Sequence, residues 1–560
     1  MDFMYSIIES LAIENLQLQA HKMAKARLAV ELSSEDDPSL RRKEYLKERQ
    51  DYQKLLLEVA KCDHLFSSQN LLTWMGREKH RVGMDLGRNE RSVLVELGKK
   101  VKEARALYLK SCALNAVKLS VPLDKFTGLR ADANETVQLN LGDSYERRKI
   151  LQCVKDPALR RKAYMMPFEK EVIQRMVLFS ECHSLLQQQS QIRSGNTISV
   201  TFAKENGRNL DELLYYLNTI KQIIVPYVRV EEDKLKSLLK DDGWDNSTLC
   251  FTDRLFYRRR ILNAGYASVS TRDGIRRIIT LICSLLNLQV EFHSSKDRDA
   301  FVSCLIQNSC NVSVDLCVLS SLSHGNVCRT FFIPQSLESG GHHKVVVLIP
   351  LGEHSSELAD LGSVMHEFGH AFSLIEDIGG PDRNSLFVGR YTELDRESCA
   401  SFFEQLAWHL EFVRSWTGQP NLNFPEKISN FKASWLGTLV IKALFGLELF
   451  NRRNISPSEA TKLFSEISSG FSSCFGPELE TEWSLFSEFI SRGISMVRYC
   501  FGLLTGIQIL YKLEKMGDLG WEQFRNLVLR GNEGEPISNR VDKFAGEVEI
   551  PEMIDFWIST

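Results

Sequence analysis

The chain has 560 residues, 69 of them Lys or Arg against 72 Asp or Glu, for a formal net charge of -3. That balance gives no bulk electrostatic reason to bind nucleic acid or an anionic membrane surface, and 43% hydrophobic residues with only 14 prolines excludes the disordered and collagen-like classes. A chain of this length exceeds the size at which a single core keeps growing, so more than one lobe is expected.

The opening Met1–Glu9 carries acidic residues and no arginine, so neither a secretory signal nor a mitochondrial presequence is expected there. Residues 1–240 read as a helical N-terminal lobe, with apolar residues at three- and four-residue spacing, as in Leu55, Leu56, Val59, Ala60 and Leu65. Breaks rich in Ser, Asn, Asp, Gly and Pro fall near Ser33–Pro38, Leu119–Asn134 and Arg193–Gly207 and are expected to be loops. Residues 241–560 are assigned to a second region, within which the texture changes at about 312–350. There Val312-Ser-Val-Asp-Leu-Cys-Val-Leu alternates, and Lys344-Val-Val-Val-Leu-Ile is a β-branched run, so a small sheet is expected. Helical texture returns after Gly352. The longest uninterrupted apolar runs, near Val345–Leu351 and Ile507–Leu510, are far shorter than the roughly 18 to 20 residues that span a bilayer, so membrane insertion is not expected. The thirteen cysteines are scattered singly, without a C-x-x-C pair, and read as buried thiols in a reducing compartment.

His366-Glu367-Phe368-Gly369-His370 is the chemical centre of the sequence. Four-residue spacing puts both imidazoles on one helix face, where they can share a zinc ion, and Glu367 then lies beside the metal to handle a water proton. Leu358, Leu361, Met365, Phe368, Phe372 and Ile375 recur at helical spacing around the motif, and Glu357 and Asp360 suit a helix N-terminus. A catalytic zinc needs a third protein ligand and one open position. Glu393, Asp395, Glu397 and Glu404 compete for that role on a second helical segment; Glu397 and Glu404, seven residues apart on one face, can act as ligand and supporting group.

At these residues the chain resembles the thimet oligopeptidase family of zinc peptidases (peptidase family M3), and within it the mitochondrial intermediate peptidase branch. His366, Glu367, Gly369 and His370 meet the family pattern H-E-x-G-H, and Glu397 through Glu404 approximates its later carboxylate segment. Weaker similarity covers Gly243-Trp244-Asp245, Asp273 to Leu288, Val314 to Leu351 and the stretch from Leu529 to Pro536. The resemblance implies a mainly α fold of two helical lobes enclosing a deep substrate channel, with the small sheet next to the zinc helix. It implies one zinc per chain on His366, His370 and Glu397, Glu367 as general base, and peptides rather than folded proteins as substrates of a monomeric enzyme. It also implies a mitochondrial matrix location, although no targeting sequence is visible; the alternative is the cytoplasm.

The chain departs from the family in ways that bear on activity. Ser373 stands where relatives carry a histidine, and Ser491, Ser495 and Gly502 stand where a histidine and tyrosines would donate to the oxyanion, leaving Tyr499, with Arg498 beside it, as the candidate donor. The competing expectation is therefore a catalytically impaired zinc- or peptide-binding descendant. His342 and His343, after a Gly-Gly turn, are candidates for substrate contact or simply an exposed turn.

Overall fold

The computed structural model describes residues 16, 18–27, 38–60, 86–112, 118–122, 125, 136–140, 153–169, 172–206, 208–244, 249, 251–262, 268–293, 300–307, 312–321, 328–333, 342–355, 358–378, 397–420, 432–469, 471, 482–485, 489–490, 494–530, 537–546 and 548–559. The chain divides into two units, each assembled from three stretches. Met1–Asp85, Gly265–Phe424 and Phe501–Glu549 form the first, and Leu86–Ala264, Pro425–Cys500 and Ile550–Thr560 the second. Residue 240, the boundary expected from the sequence, lies inside the second unit.

Long helices make up most of the second unit. Leu210–Asp241 begins at a capping box between Asn209 and Glu212 and buries Leu213, Leu217, Ile220, Ile224, Val228 and Leu235 at the spacing of one helix face. Against it lies the helix Lys432–Asn451, whose first amides are capped from across the interface: Ala433 and Ser434 donate their backbone N–H to the two oxygens of Glu231, each at 2.9 Å. Lys432–Asn451 is long and apolar enough to cross a membrane, with mean hydropathy 1.5, yet 72% of that window is buried within the protein. A helix apolar on all sides is what the centre of a large core requires. The sequence reading passed over it because Lys442 and Glu448 interrupt the apolar run.

The segment expected to be a loop at Leu119–Asn134 instead begins with a strand. β1 (Lys118–Pro122) pairs antiparallel with β2 (Thr136–Asn140), and Leu119 and Val121 are buried while Ser120 is exposed. The alternation that β pairing needs was present but only five residues long. Likewise a short helix, Ile198–Glu205, capped by Thr197, occupies the expected break at Arg193–Gly207.

In the first unit, β3 (Val269–Ser270) pairs with β9 (His354–Ser355), and between them the chain builds a five-stranded sheet. Its strands are β4 (Gln289–His293), β5 (Ala300–Gln307), β6 (Ser313–Ser320), β7 (Arg329–Ile333) and β8 (His343–Ile349), in the spatial order β4-β5-β6-β8-β7. The sheet next to the motif helix is thus present but starts at Gln289, not 312. All neighbours are antiparallel except β6 and β8, and β7 is an end strand. One face buries Ala300, Cys317, Leu319, Phe331, Ile333, Val346 and Leu348 together, with Ala24 against them. On the sheet's side facing the helix Leu358–Asp377, β7 and β8 lie in contact with it, and the helix buries Leu358, Leu361, Met365, Phe368, Phe372 and Ile375. The motif helix is therefore fixed by its apolar stripe, which leaves its polar positions for chemistry. Cys153, Cys182, Cys283, Cys304, Cys317, Cys399 and Cys500 are buried, and Cys328 is exposed.

Candidate metal centre

The helix Leu358–Asp377 carries Asp360 in its first turn, where Ser355 donates to its carboxylate at 2.8 Å. Two turns later His366 and His370 stand one above the other, ring centroids 5.1 Å apart and planes at 83°. Glu397 enters from the residue before the helix Ser398–Leu406. The sequence places it 27 residues beyond His370, so its arrival depends on packing, and two glycines permit that packing. A Cβ on Gly369 would fall 2.5 Å from Ala400 Cα and 2.6 Å from the Cys399 carbonyl oxygen, so the motif glycine lets the ligand helix touch the motif helix. On the other side, a Cβ on Gly502 would fall 2.7 Å from Glu397 Cβ and 2.9 Å from its carbonyl carbon and oxygen. A side chain at Gly502 would collide with Glu397, so the position has no room for a donor.

Glu397 Oε2 lies 3.3 Å from His366 Nε2 and 3.4 Å from His370 Nε2, and the three candidate ligand atoms all fall within 4.8 Å of one another. Zinc bonds of about 2.0 to 2.1 Å in tetrahedral geometry put neighbouring ligand atoms about 3.3 to 3.4 Å apart, which matches the separation of Glu397 from each imidazole, so these residues could hold the ion. Two imidazoles and a carboxylate are also a donor set that such catalytic sites use. The electrostatics agree. Burial opposes charge on both Glu397 and His366, but the imidazoles hold the Glu397 carboxyl well below the usual carboxylate range, and Glu397 and Glu404 push His366 well above its ordinary value. These carboxylates thus favour positive charge on the imidazole side of the contact.

His366 Nδ1 lies 3.1 Å from Glu404 Oε2, one of the four competing carboxylates. With Nδ1–H donating to Glu404, Nε2 keeps its lone pair and points it toward Glu397. Glu393 and Asp395 lie outside the described residues, as does Ser491. Glu367 is 4% exposed, and Thr330 on β7 donates its hydroxyl to Glu367 Oε2 at 2.7 Å, with the Glu367 carbonyl at 3.1 Å. Sequence reasoning missed Thr330, because only the β-rich run around it is visible and its partner lies 37 positions later.

Tyr499 is half-buried on the helix Ser495–Met516, within the stretch assigned to the second unit, and the Arg498 guanidinium lies 5.4 Å from its ring centroid. Ser373 is buried one turn beyond the motif. His342 is exposed, whereas His343 stacks on Phe332 with ring centroids 5.7 Å apart.

No family model matches the sequence, and no curated protein matches it. Solved structures do. An oligoendopeptidase F from Enterococcus faecium aligns over 100% of this chain and 91% of its own, with a TM-score of 0.54 at 11% identity. PZ peptidase A with an inhibitor aligns over 96% of each chain, with a TM-score of 0.57 at 11% identity. A Chlamydophila abortus protein described as a peptidase covers 98% of this chain and 89% of its own, with a TM-score of 0.63 at 13% identity. The chain has the oligoendopeptidase fold. In that fold nearly the whole chain is accounted for, so the mainly α architecture with a small sheet beside the motif helix is shown. The chemistry within the oligoendopeptidase fold rests on this chain's own residues.

Proposed function

We propose that the chain is a zinc-dependent endopeptidase of the thimet oligopeptidase family that hydrolyses short or unfolded peptides. The observation that carries this reading is the convergence of His366, His370 and Glu397, with Glu397 at a tetrahedral-edge distance from each imidazole and Glu367 beside them on the same helix turn. A zinc ion held there supplies positive charge that polarises the scissile carbonyl and acidifies water. Glu367 accepts the water proton and returns it to the leaving amine, and Glu404 holds His366 in the tautomer that leaves Nε2 free. β7, with no strand on its outer side among the described residues, offers main-chain hydrogen bonds to an extended peptide. Tyr499 is the proposed oxyanion donor. Its hydroxyl would be the chain's replacement for donors absent at Ser491, Ser495 and Gly502.

The test is Glu367→Gln, which is expected to keep one zinc per chain and lose peptide turnover, since an amide cannot take the water proton. Near-normal cleavage by that variant rules out the mechanism. The second reading, a zinc- or peptide-binding descendant without turnover, is favoured by the exclusion of any donor side chain at Gly502. It becomes the correct one if wild-type protein loaded with zinc binds a peptide library and cleaves none of it. A monomeric state and the mitochondrial location implied by the resemblance belong to the same proposal, and sedimentation and cell fractionation test them.

A further inference from the structure

Glu367 is a buried carboxylate whose side chain has rotamer freedom of its own; belonging to the motif helix fixes where it starts but not where its oxygens end. One group outside the motif addresses that freedom. Thr330 is the second residue of β7, an end strand among the described residues, directly opposite Val347 of β8, and its Oγ1 lies 2.7 Å from Glu367 Oε2. That length is the normal one for a hydroxyl donating to an oxygen. The same hydroxyl lies 3.1 Å from the Glu367 carbonyl, a second acceptor for its single proton, and the shorter distance favours the carboxylate. Phe331, the next residue on the strand, is buried in the cluster on the opposite face, and the Arg27 guanidinium lies 5.4 Å from its ring.

We propose that Thr330 is a positioning residue for Glu367, anchoring Oε2 so that Oε1 is the oxygen that accepts the proton. The assignment rests on the peptidase reading and adds to it a residue that links the β7 edge, where a peptide would lie, to the base that acts on it. Donation by Thr330 adds a hydrogen bond to the carboxylate without consuming the proton acceptor. A base held in one rotamer is effective only because its geometry is set in advance, and a displacement of about 1 Å at such a group costs about a hundredfold in rate.

The experiment compares Thr330→Val and Thr330→Ser with the wild-type zinc protein. Valine keeps the β-branched shape that suits the strand and removes only the donor; serine restores it. Three quantities are measured: zinc affinity by competition with a chromophoric chelator, kcat and KM on an internally quenched peptide, and the Kd of a peptide hydroxamate, whose acidic proton must pass to Glu367. Thr330→Val is expected to lower kcat about 10- to 100-fold with KM and zinc affinity within about twofold of wild type, and to weaken the hydroxamate about tenfold. Thr330→Ser should recover kcat to within about threefold. A purely structural threonine would lower zinc affinity or thermal stability in step with activity and would leave the hydroxamate Kd unmoved in the folded fraction. Unchanged kcat in Thr330→Val, or a serine variant as impaired as valine, overturns the assignment while leaving the peptidase reading intact. Absence of turnover in the wild-type protein overturns the peptidase reading itself, and with it any base for Thr330 to position.

Discussion

His366, Glu367 and His370 were legible because their relation is local: a spacing of four on an apolar-striped helix settles it before any packing is known. Glu397 was legible only through resemblance, since four carboxylates competed; among the described residues it gathers with His366 and His370 through contacts that Gly369 and Gly502 make possible. Gly502 shows what a one-residue reading misses. From sequence it stands where a donor would be; in place it is the contact surface behind Glu397, the proposed third ligand. Gly502→Ala should therefore weaken zinc binding at least about tenfold, the scale of a disturbed supporting contact, in a competition titration, and should add little to the loss already produced by Glu397→Ala. An alanine variant with wild-type zinc affinity would show that the helix Ser495–Met516 yields without disturbing the ligand. Glu404→Ala acts on the same affinity from the other end, through the His366 tautomer, and is expected to cost about 10- to 100-fold in zinc affinity while leaving the fold intact.

At the scale of elements, the long amphipathic helices and the β-branched strand β8 announced themselves, whereas β4, β5 and the β1–β2 pair did not. Five- to eight-residue apolar runs such as Ala300–Gln307 fit a helix turn as well as a buried strand until their partners are known. The motif helix has one further anchor that no periodicity could reveal. Glu376, fully buried near its C-terminal end, accepts from Arg525 Nε and Nη2 at 3.3 Å and from Arg530 Nε at 2.7 Å, both arginines lying on the π-helical turn Arg525–Arg530. One carboxylate serving two guanidiniums is a pairing that is costly to break, because removing it leaves two cations without their shared partner in a buried place. Glu376→Ala is expected to destabilise the first unit by about 3 to 5 kcal/mol. Calorimetry reads this as a melting transition several degrees lower, and an unshifted transition would mean that solvent reaches the arginines freely.

For the whole molecule, length alone called for more than one core, and two units are found, but their interleaving was not in the sequence. The chain enters each unit three times, and only the crossing at Phe424–Pro425 falls in a stretch rich in Gly and Pro, Gly418 to Pro425, so composition had little to report. The stability of the second unit carries its own pH signature. His183 is fully buried on the helix Val172–Ser194, donates Nε2–H to the Leu449 carbonyl at 3.0 Å and lies against the Phe450 ring. Burial pushes its pKa from 6.5 down to about 4, against the opposing pull of the Leu449 carbonyl. The folded imidazole thus stays neutral in a range where the unfolded one takes up a proton. Stability from this residue is complete above pH 6.5 and falls as the pH drops toward 4, by on the order of 3 kcal/mol at the lower end. His183→Phe retains the ring contact, and the Leu449 carbonyl keeps a second donor in the Arg452 amide at 3.2 Å. Denaturant unfolding of both proteins at pH 7, 6, 5 and 4 with zinc held constant should then give curves whose difference in stability shrinks in favour of the variant as the pH falls. Carboxylates titrating elsewhere affect both proteins alike and drop out of that difference. A difference that stays constant across the range would mean that the folded protein protonates His183 as readily as the unfolded chain does.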